Sequence, residues 1–257
     1  MQKPLLIDLD GVLRLGNDPA PDLEEFLYYL ESESVNACIL SNSSISNSEQ
    51  IYNYFDSHSI RINLPIITAI DAAYSYIKGK YNKVAVFTSE NVISKFAEFL
   101  DFENPEAVLI GDIGEMWNYK LMQTIFEYIR NGAKLIVVHK NKFWNKPNFG
   151  IQLDAGPFIH GIEYATSSEA ILIGKPSKKY FKTALKKINV NLDEQFMMLG
   201  DDLETDINGS KNLGAETILV YTGKTNKPLL EYSQKNVDYE ANNLLDVLKI
   251  LKEKKNN

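Results

Sequence analysis

The chain has 257 residues, of which 44% are hydrophobic and 24% are charged, and its formal net charge is −7. This composition is close to that of an average soluble globular protein and excludes a disordered chain. The acidic balance argues against nucleic acid as a partner, because nucleic-acid binding needs a clustered basic face.

The single cysteine and the absence of long apolar runs bear on the location of the protein. Cys38 is the only cysteine, so an internal disulfide is excluded. Its apolar neighbours predict a buried thiol in a strand. We find no segment apolar enough for a signal peptide or a membrane span. We therefore expect a cytoplasmic protein with no membrane partner.

Short apolar runs alternate with helical patterns along the chain. The runs predict strands at residues 5–7, 37–40, 84–87, 108–110, 135–138, 171–173, 196–199 and 217–220. Apolar residues at helical spacing predict helices at residues 22–30, 117–129, 157–162, 205–213 and 244–251. Gly132 and Gly214 supply helix stops, and Pro157 is placed to open its helix. Buried strands separated by helices are typical of parallel sheets in an α/β protein.

Carboxylates follow two of the predicted strands. Asp8 and Asp10 come after the first strand, and their spacing directs both side chains to one side of an extended chain. Asp201, Asp202 and Asp206 follow a later strand. Alone, Asp8 and Asp10 are better explained as a solvated acidic turn, and a helix cap explains the second set equally well. Together, two acidic strand ends predict a magnesium site, because magnesium prefers oxygen ligands and ligands bind beyond the carboxyl ends of parallel strands.

Two further strand ends carry groups that suit an oxyanion. Ser41 and Asn42 offer a hydroxyl, an amide and loop N–H groups. Lys175 offers a cation directly after Gly174. In isolation, Ser41 is equally well explained as a loop cap and Lys175 as a solvated lysine. The four strand ends indicate one functional site only when they are considered together.

In their chain order, these four motifs resemble the haloacid dehalogenase superfamily. The motifs are Asp8-x-Asp10-Gly11-Val12, Ser41-Asn42, Gly174-Lys175-Pro176 and Gly200-Asp201-Asp202-x-x-x-Asp206. The long segment between Asn42 and Lys175 resembles the type C2 cap of subfamily IIA, which includes NagD-like phosphatases and 4-nitrophenylphosphatases. Within it, the chain is most similar to phospholysine phosphohistidine inorganic pyrophosphate phosphatase-like proteins, on Gly114-Glu115-x-x-x-Tyr119, Gly156-Pro157-Phe158, Glu163-Tyr164-Ala165, Gly174-Lys175-Pro176-Ser177 and Thr222-Gly223-Lys224.

The resemblance implies a division into two domains. A doubly wound, Rossmann-like parallel-sheet core is expected from residues 1–67 and 174–257. Residues 68–173 are expected to form an inserted α/β cap of type C2. Caps of this kind cover the crevice and exclude water. Apolar surface left on the cap would be available for self-association into a homo-oligomer.

The resemblance also implies the chemistry of the acidic residues. Asp8 is expected to attack phosphorus and form an aspartyl-phosphate. Asp10 is expected to act as general acid toward the leaving oxygen and then as general base for water. Mg²⁺ is expected to be held by Asp8, the backbone carbonyl of Asp10 and Asp201.

The remaining motif residues are expected to bind the phosphoryl group or to support the metal and Lys175. Ser41, Asn42 and Lys175 would bind the oxygens of the transferred phosphoryl group. Asp202 and Asp206 would hold metal-bound waters and orient Lys175. The three histidines have no ligand-type spacing and are interpreted as structural or solvated.

The predicted function is the magnesium-dependent hydrolysis of a small phosphate monoester, phosphoanhydride or phosphoamide. Two alternatives stay open at this point. A phosphotransferase or mutase would use the same nucleophile but would exclude water as the acceptor. A phosphate-ligand sensor would bind without turnover, although binding alone has no need of an acid/base group such as Asp10. The physiological substrate does not follow from the sequence.

Overall fold

The computed structural model describes residues 3–146, 150–191, 193–229 and 235–256. The chain divides into two compact units. The first consists of Met1–Ser41, Glu49–Ile67 and Lys175–Asn257, and the second consists of Asn42–Ser48 and Thr68–Gly174. The segment Asn42–Ser48 thus belongs to the second unit, whereas the sequence analysis placed it in the core domain.

The first unit is built on a six-stranded sheet. Its strands lie in the order β14-β13-β12-β1-β4-β5. Their bounds are Leu5–Ile7 (β1), Ala37–Ser41 (β4), Ile66–Thr68 (β5), Met197–Gly200 (β12), Glu216–Val220 (β13) and Tyr239–Ala241 (β14). The strands pair in parallel from β4 through β1, β12 and β13 to β14. Every residue of β1, β4 and β12 is buried, as expected for a parallel sheet that is covered on both faces.

Helices and short turns surround this sheet. They are α1 (Leu23–Ser32), α2 (Ser48–Ser57), α7 (Lys178–Lys187), a π-helical turn (Leu203–Asn208), α8 (Gly209–Lys211) and α9 (Leu244–Asn256). A two-residue hairpin pairs β2 (Arg14–Leu15) with β3 (Asp18–Pro19). The apolar faces of α1 and α9 pack with β1 and β4 in one hydrophobic core. Cys38 is buried in β4, as the sequence predicts.

The second unit has a parallel four-stranded sheet of its own. The strand order is β11-β8-β7-β6. The bounds are Val84–Phe87 (β6), Ala107–Ile110 (β7), Lys134–Val137 (β8) and Ile171–Leu172 (β11). The helices are α3 (Ala69–Lys78), α4 (Glu90–Ile93), α5 (Tyr119–Arg130) and α6 (Ala155–Thr166), with 3₁₀ turns at Ser94–Phe99 and Gly114–Met116. A separate antiparallel hairpin joins β9 (Phe143–Lys146) to β10 (Gly150–Leu153).

Polar caps set the starts of the helices in the second unit. The side chain of Thr68 accepts a hydrogen bond from the backbone of Asp71 at the start of α3. Asn118 caps α5 in the same way, and Asp154 caps α6. Such caps satisfy N–H groups that have no partner inside the helix. Helix α6 therefore begins at Ala155, two residues before the predicted start at Pro157, which falls inside the first turn.

A second difference concerns residues 205–213, for which the sequence predicts one helix ending at Gly214. The structure has a π-helical turn at Leu203–Asn208 followed by the short helix α8. The turn begins earlier because Asp202 caps it by accepting from the backbone of Glu204. The predicted α/β fold with two parallel sheets is otherwise confirmed. Among the described residues, none of the helices is both long and apolar enough to cross a membrane.

Candidate active site

The candidate site lies at the carboxyl ends of adjacent strands in the first unit. Asp8 directly follows β1, and its backbone N–H donates to the carbonyl of Leu199 in β12 over 2.9 Å. Asp201 directly follows β12, and Ser41 is the last residue of β4. Because these strands are parallel neighbours, their carboxyl ends meet at one edge of the sheet. The fold therefore brings together strand ends that are far apart in sequence.

Lys175 joins two carboxylates at the centre of the site. Its Nζ lies 2.6 Å from Asp8 Oδ1 and 2.7 Å from Asp206 Oδ1. The side chains of Lys175 and Asp206 are 2% and 0% exposed, so the ion pairs are shielded from water. Removal of one partner from such a group leaves an uncompensated buried charge, which costs about 3–5 kcal/mol. Lys175 thus holds the Asp8 carboxylate in place.

Asp201 completes a cluster of three buried carboxylates. One oxygen from each of Asp8, Asp201 and Asp206 can be chosen so that all three lie within 4.8 Å of one another. The Oδ2 atom of Asp201 also accepts the backbone N–H of Lys224 at 2.5 Å. Three carboxylates therefore converge on a space in which Lys175 supplies the positive charge.

The crowded charges change the pKa values of the cluster. Burial, reinforced by the nearby Asp206 carboxylate, raises the pKa of Asp8 well above its usual range. The same two causes raise the pKa of Asp201 to about 7. Burial alone would lower the pKa of Lys175, but the carboxylates of Asp206 and Asp8 outweigh it and raise that pKa. The cluster is thus short of positive charge.

Asp202 is not one of the three clustered carboxylates and anchors a loop. Its Oδ2 atom accepts from Lys224 Nζ at 2.6 Å, and its Oδ1 atom caps the following π-helical turn. Burial acts to raise the pKa of Asp202, but the Lys224 ammonium and several hydrogen bonds outweigh it and hold that pKa below its usual value. Asp202 and Lys224 therefore tie the loop after β13 to the site.

Asp10 is the most exposed of the motif carboxylates. Its side chain is 51% exposed, and its Oδ1 atom lies 2.6 Å from Arg14 Nη2 and 2.8 Å from Arg14 Nε. The intervening Gly11 has φ +87°, a conformation that glycine adopts without strain. A side chain at Gly11 would also overlap the carboxylate of Asp201. Glycine at this position therefore lets the backbone after Asp10 approach the carboxylate cluster.

Ser41 and Asn42 fall on either side of the boundary between the two units. The carbonyl of Ser41 accepts from the hydroxyl of Tyr180 over 2.6 Å. Asn42 belongs to the second unit, where its Oδ1 atom lies 2.5 Å from the position that a Cβ on Gly174 would occupy. The structure thus brings Asp8, Lys175, Asp201 and Asp206 into one cluster. The contacts described above for Asp10, Ser41, Asn42 and Asp202 are made with other residues.

The comparisons with known proteins agree on one family. The family described as haloacid dehalogenase-like hydrolase matches residues 5–102, and a related family described as HAD-hydrolase-like matches residues 172–247. The mouse haloacid dehalogenase-like hydrolase domain-containing protein 2 is 30% identical over 223 residues, which cover 86% of this chain and 85% of the relative. The chain belongs to the haloacid dehalogenase-like hydrolase family.

Two of the proteins similar to this haloacid dehalogenase-like hydrolase are phosphatases by name, and a third is NagD. Human phospholysine phosphohistidine inorganic pyrophosphate phosphatase is 28% identical over 254 residues, or 96% of this chain and 93% of that protein. The 4-nitrophenylphosphatase of Thermotoga maritima has a TM-score of 0.86 at 22% identity, covering 96% of this chain and 97% of that chain. NagD from Escherichia coli has a TM-score of 0.77 at 22% identity, covering 95% and 97%. The predicted family, fold and phosphatase class are confirmed.

The donor chemistry of the haloacid dehalogenase-like site fits a divalent cation. The cluster presents only carboxylate oxygens, which are the ligands that magnesium prefers. Burial, followed by repulsion from the Asp206 carboxylate, raises the pKa values of Asp8 and Asp201. A divalent ion would offset that repulsion. The site residues therefore fit a divalent metal ion.

Two basic residues of this hydrolase site were given no role by the sequence analysis. Arg14 contacts Asp10 from the β2–β3 hairpin, and Lys224 contacts Asp202 from the loop after β13. Lys224 does lie in the motif Thr222-Gly223-Lys224, which is part of the resemblance. No sequence pattern singles out Arg14. Cys38 offers no alternative nucleophile, because burial raises the pKa of its thiol to about 12.

Proposed function

We propose that this chain hydrolyses small phosphate esters in a magnesium-dependent reaction that passes through an aspartyl-phosphate on Asp8. The main support is the buried Asp8 carboxylate, which lies 2.6 Å from Lys175 Nζ within the cluster of three carboxylates. A carboxylate held in this way is a fixed nucleophile, and the neighbouring ammonium suits a phosphoryl oxygen. Phosphoanhydrides and phosphoamides are further members of the proposed substrate class.

The residues of the cluster have distinct proposed tasks. Asp8 forms the bond to phosphorus, and Lys175 binds an oxygen of the transferred group. Asp206 fixes Lys175 through its own ion pair. Asp8, Asp201 and the backbone carbonyl of Asp10 would hold the magnesium ion, with Asp206 close enough to support a bound water. When bound, the ion supplies positive charge that reduces the repulsion between the nucleophile and the phosphate.

Asp10 is the proposed general acid and base. It protonates the leaving oxygen and later accepts a proton from the water that attacks the phosphoenzyme. Its Oδ1 atom also contacts Arg14. Ser41 and Asn42 are proposed to bind the remaining phosphoryl oxygens.

Substitution of the two aspartates tests this assignment. With 4-nitrophenyl phosphate as substrate, Asp8→Asn should abolish turnover because the nucleophile is lost. Asp10→Asn should slow turnover by about 10²–10⁴-fold, which is the usual scale of general acid–base catalysis. Exposed Asp18 lies on the neighbouring hairpin, and Asp18→Asn is the matched control, which should keep full activity. Activity should also disappear in EDTA and return with Mg²⁺.

Equal and mild effects of Asp8→Asn and Asp10→Asn would contradict the proposal, as would full activity in a metal-free preparation. Steady release of inorganic phosphate without an added acceptor is the result expected of a phosphatase. Product formation that depends on an added acceptor would indicate a phosphotransferase. Binding of phosphate esters without turnover would indicate a sensor.

The second unit is the proposed C2-type cap, which selects the substrate while the first unit performs the phosphoryl chemistry. Every residue assigned to a covalent or proton-transfer step lies in the first unit. We also propose that the second unit carries the surface for self-association. Apolar side chains exposed on the β9–β10 hairpin support that assignment. The cytoplasmic location stays a prediction from the sequence.

A further inference from the structure

Ser44 is buried in a polar pocket formed by Thr88 and His139, and all three residues belong to the second unit. Its side chain is 5% exposed, and its Oγ atom lies 3.4 Å from His139 Nε2, just beyond β8. Thr88, just beyond β6, donates its hydroxyl hydrogen to the carbonyl of Ser44 over 3.3 Å. Thr88 and His139 are 6% and 5% exposed. Two buried polar residues, Thr88 and His139, thus fix Ser44.

The protonation of His139 follows from its neighbours. The backbone N–H of Asn141 points at Nδ1 from 3.4 Å, so Nδ1 is the acceptor in the neutral ring. The ring proton then lies on Nε2 and is donated to Ser44 Oγ. His139 therefore acts as a hydrogen-bond donor that holds the serine.

The arrangement is not a nucleophilic triad, although Asp154 stands near the histidine. Asp154 Oδ2 is 3.9 Å from His139 Nδ1, beyond hydrogen-bond length. The other oxygen of Asp154 accepts the backbone N–H of Ala155 at 2.7 Å and so caps α6. A serine activated by a base would need an unprotonated Nε2, whereas here Nε2 is the donor. The geometry therefore suits positioning.

The Ser44 pocket is close in sequence and in space to Asn42, a proposed phosphate ligand. Asn42 is two residues before Ser44, and its amide packs where Gly174 leaves room. Gly174 in turn donates its backbone N–H to the carbonyl of Val138, next to His139, over 2.9 Å. Ser44 thus contacts His139 directly, and Asn42 packs against Gly174, which is bonded to the residue before His139.

We propose that His139 and Thr88 are positioning residues that hold Ser44, and through it Asn42 and Ser41, in the geometry that binds the phosphoryl group. The inference rests on the proposed function, because Ser41 and Asn42 matter only if phosphate binds there. The loop after β4 carries both Asn42 and Ser44.

Substitutions of His139 and Ser44 test the proposal through the affinity for phosphate rather than through the rate of the chemical step. His139→Ala and Ser44→Ala should each raise KM for 4-nitrophenyl phosphate and Ki for orthophosphate by about tenfold, corresponding to about 1.4 kcal/mol. The value of kcat should change much less, because Asp8 and Asp10 are untouched. His139→Gln keeps a side-chain N–H donor and should restore most of the affinity. The double variant His139→Ala/Ser44→Ala should be no weaker than either single variant, since both remove the same contact.

His160→Ala is the matched control, because this second histidine of the unit is exposed and has no contact with Ser44. It should leave KM and Ki unchanged. Folding of each variant is checked by circular dichroism and thermal melting, and Ser44→Ala removes only one oxygen. The proposal is overturned if folded Ser44→Ala binds orthophosphate as the wild type does, whether or not His139→Ala does. Absence of phosphatase activity in the wild type would instead count against the proposed function.

Discussion

At the residue scale, Gly174 has no room for a side chain. A Cβ at this position would lie 2.5 Å from both the Asn42 Oδ1 atom and the Val138 carbonyl oxygen. Gly174→Ala should therefore displace Asn42, destabilise the protein by about 1–3 kcal/mol, as overpacking does, and weaken orthophosphate inhibition. Thermal melting and the Ki for orthophosphate measure the two effects.

Gly79→Ala is the control for this substitution. Gly79 follows α3, and the nearest atom to a Cβ there is 4.0 Å away. The control should leave Ki unchanged, because Gly79 is remote from Asn42 in the second unit. Unaltered phosphate inhibition in Gly174→Ala would show that the Asn42 amide has no part in binding phosphate.

Single residues differ in how far the sequence predicts their place. The pairing of Asp8 with Asp201 follows from the rule that parallel strands end at one edge of a sheet, since both were expected after strand ends. The place of Lys175 does not follow from that rule, because the strand before it, β11, belongs to the other sheet. The pairing of Asp10 with Arg14 does not follow from that rule. It depends on a two-residue hairpin and on a side-chain conformation, neither of which leaves a periodic pattern in the sequence.

At the element scale, Glu216 ties the start of β13 to α9 and to the N-terminal segment. It accepts from Lys254 Nζ at 2.5 Å and from Lys3 Nζ at 2.9 Å, and the hydroxyl of Tyr239 donates to it at 3.0 Å. Burial acts to raise the pKa of Glu216, but the hydrogen bonds from Lys254, Lys3 and Tyr239 outweigh it and lower that pKa. The group therefore stabilises the fold in its ionised form.

A lowered pKa in the folded state sets the pH dependence of this contribution. The stabilisation is present above the pKa of an unfolded glutamate, about 4.3, and is lost as the pH falls through the lower pKa of the folded state. Glu216→Gln should thus lower Tm at pH 7 by about 2–4 °C, and the difference from the wild type should shrink below about pH 4. Glu253→Gln, at an exposed position in α9, is the control and should show neither effect. A pH-independent difference would contradict the assigned ion pairs.

Elements also differ in how visible they are in the sequence. Strands such as β1 and β12 are buried on both faces and stand out as apolar runs. The hairpin β9–β10 is not predicted, because β10 is exposed along its length and carries no alternation of buried and exposed positions. The early start of α6 was missed because Pro157 was taken as the opening residue, although Asp154 supplies the cap.

At the scale of the whole molecule, the β9–β10 hairpin exposes an apolar face. Phe143, Ile151 and Leu153 lie on one side of the two strands, and their exposed fractions are 40%, 71% and 67%. A two-stranded hairpin is marginally stable in water without a further packing partner. We therefore expect self-association of the protein through this face, measured by size-exclusion chromatography with light scattering.

The double substitution Ile151→Lys/Leu153→Lys should reduce the assembly to a monomer, because the added charges would be buried at the interface. Tyr28→Lys is the control, since Tyr28 is 72% exposed on α1 of the first unit. It should leave the molar mass of the assembly unchanged. A wild type that is monomeric throughout the concentration series would refute the assignment of this face.

Trapping the phosphoenzyme shows whether Asp8 becomes phosphorylated during turnover. The protein is mixed with 4-nitrophenyl phosphate and Mg²⁺, quenched in acid during turnover and reduced with borohydride, which converts a phosphorylated aspartate to homoserine. Mass spectrometry of the peptides should locate homoserine at Asp8 alone, and the signal should be absent in EDTA and in Asp8→Asn. Continued release of phosphate with no modification at Asp8, or with the modification at Asp10 or Asp201, would contradict the account.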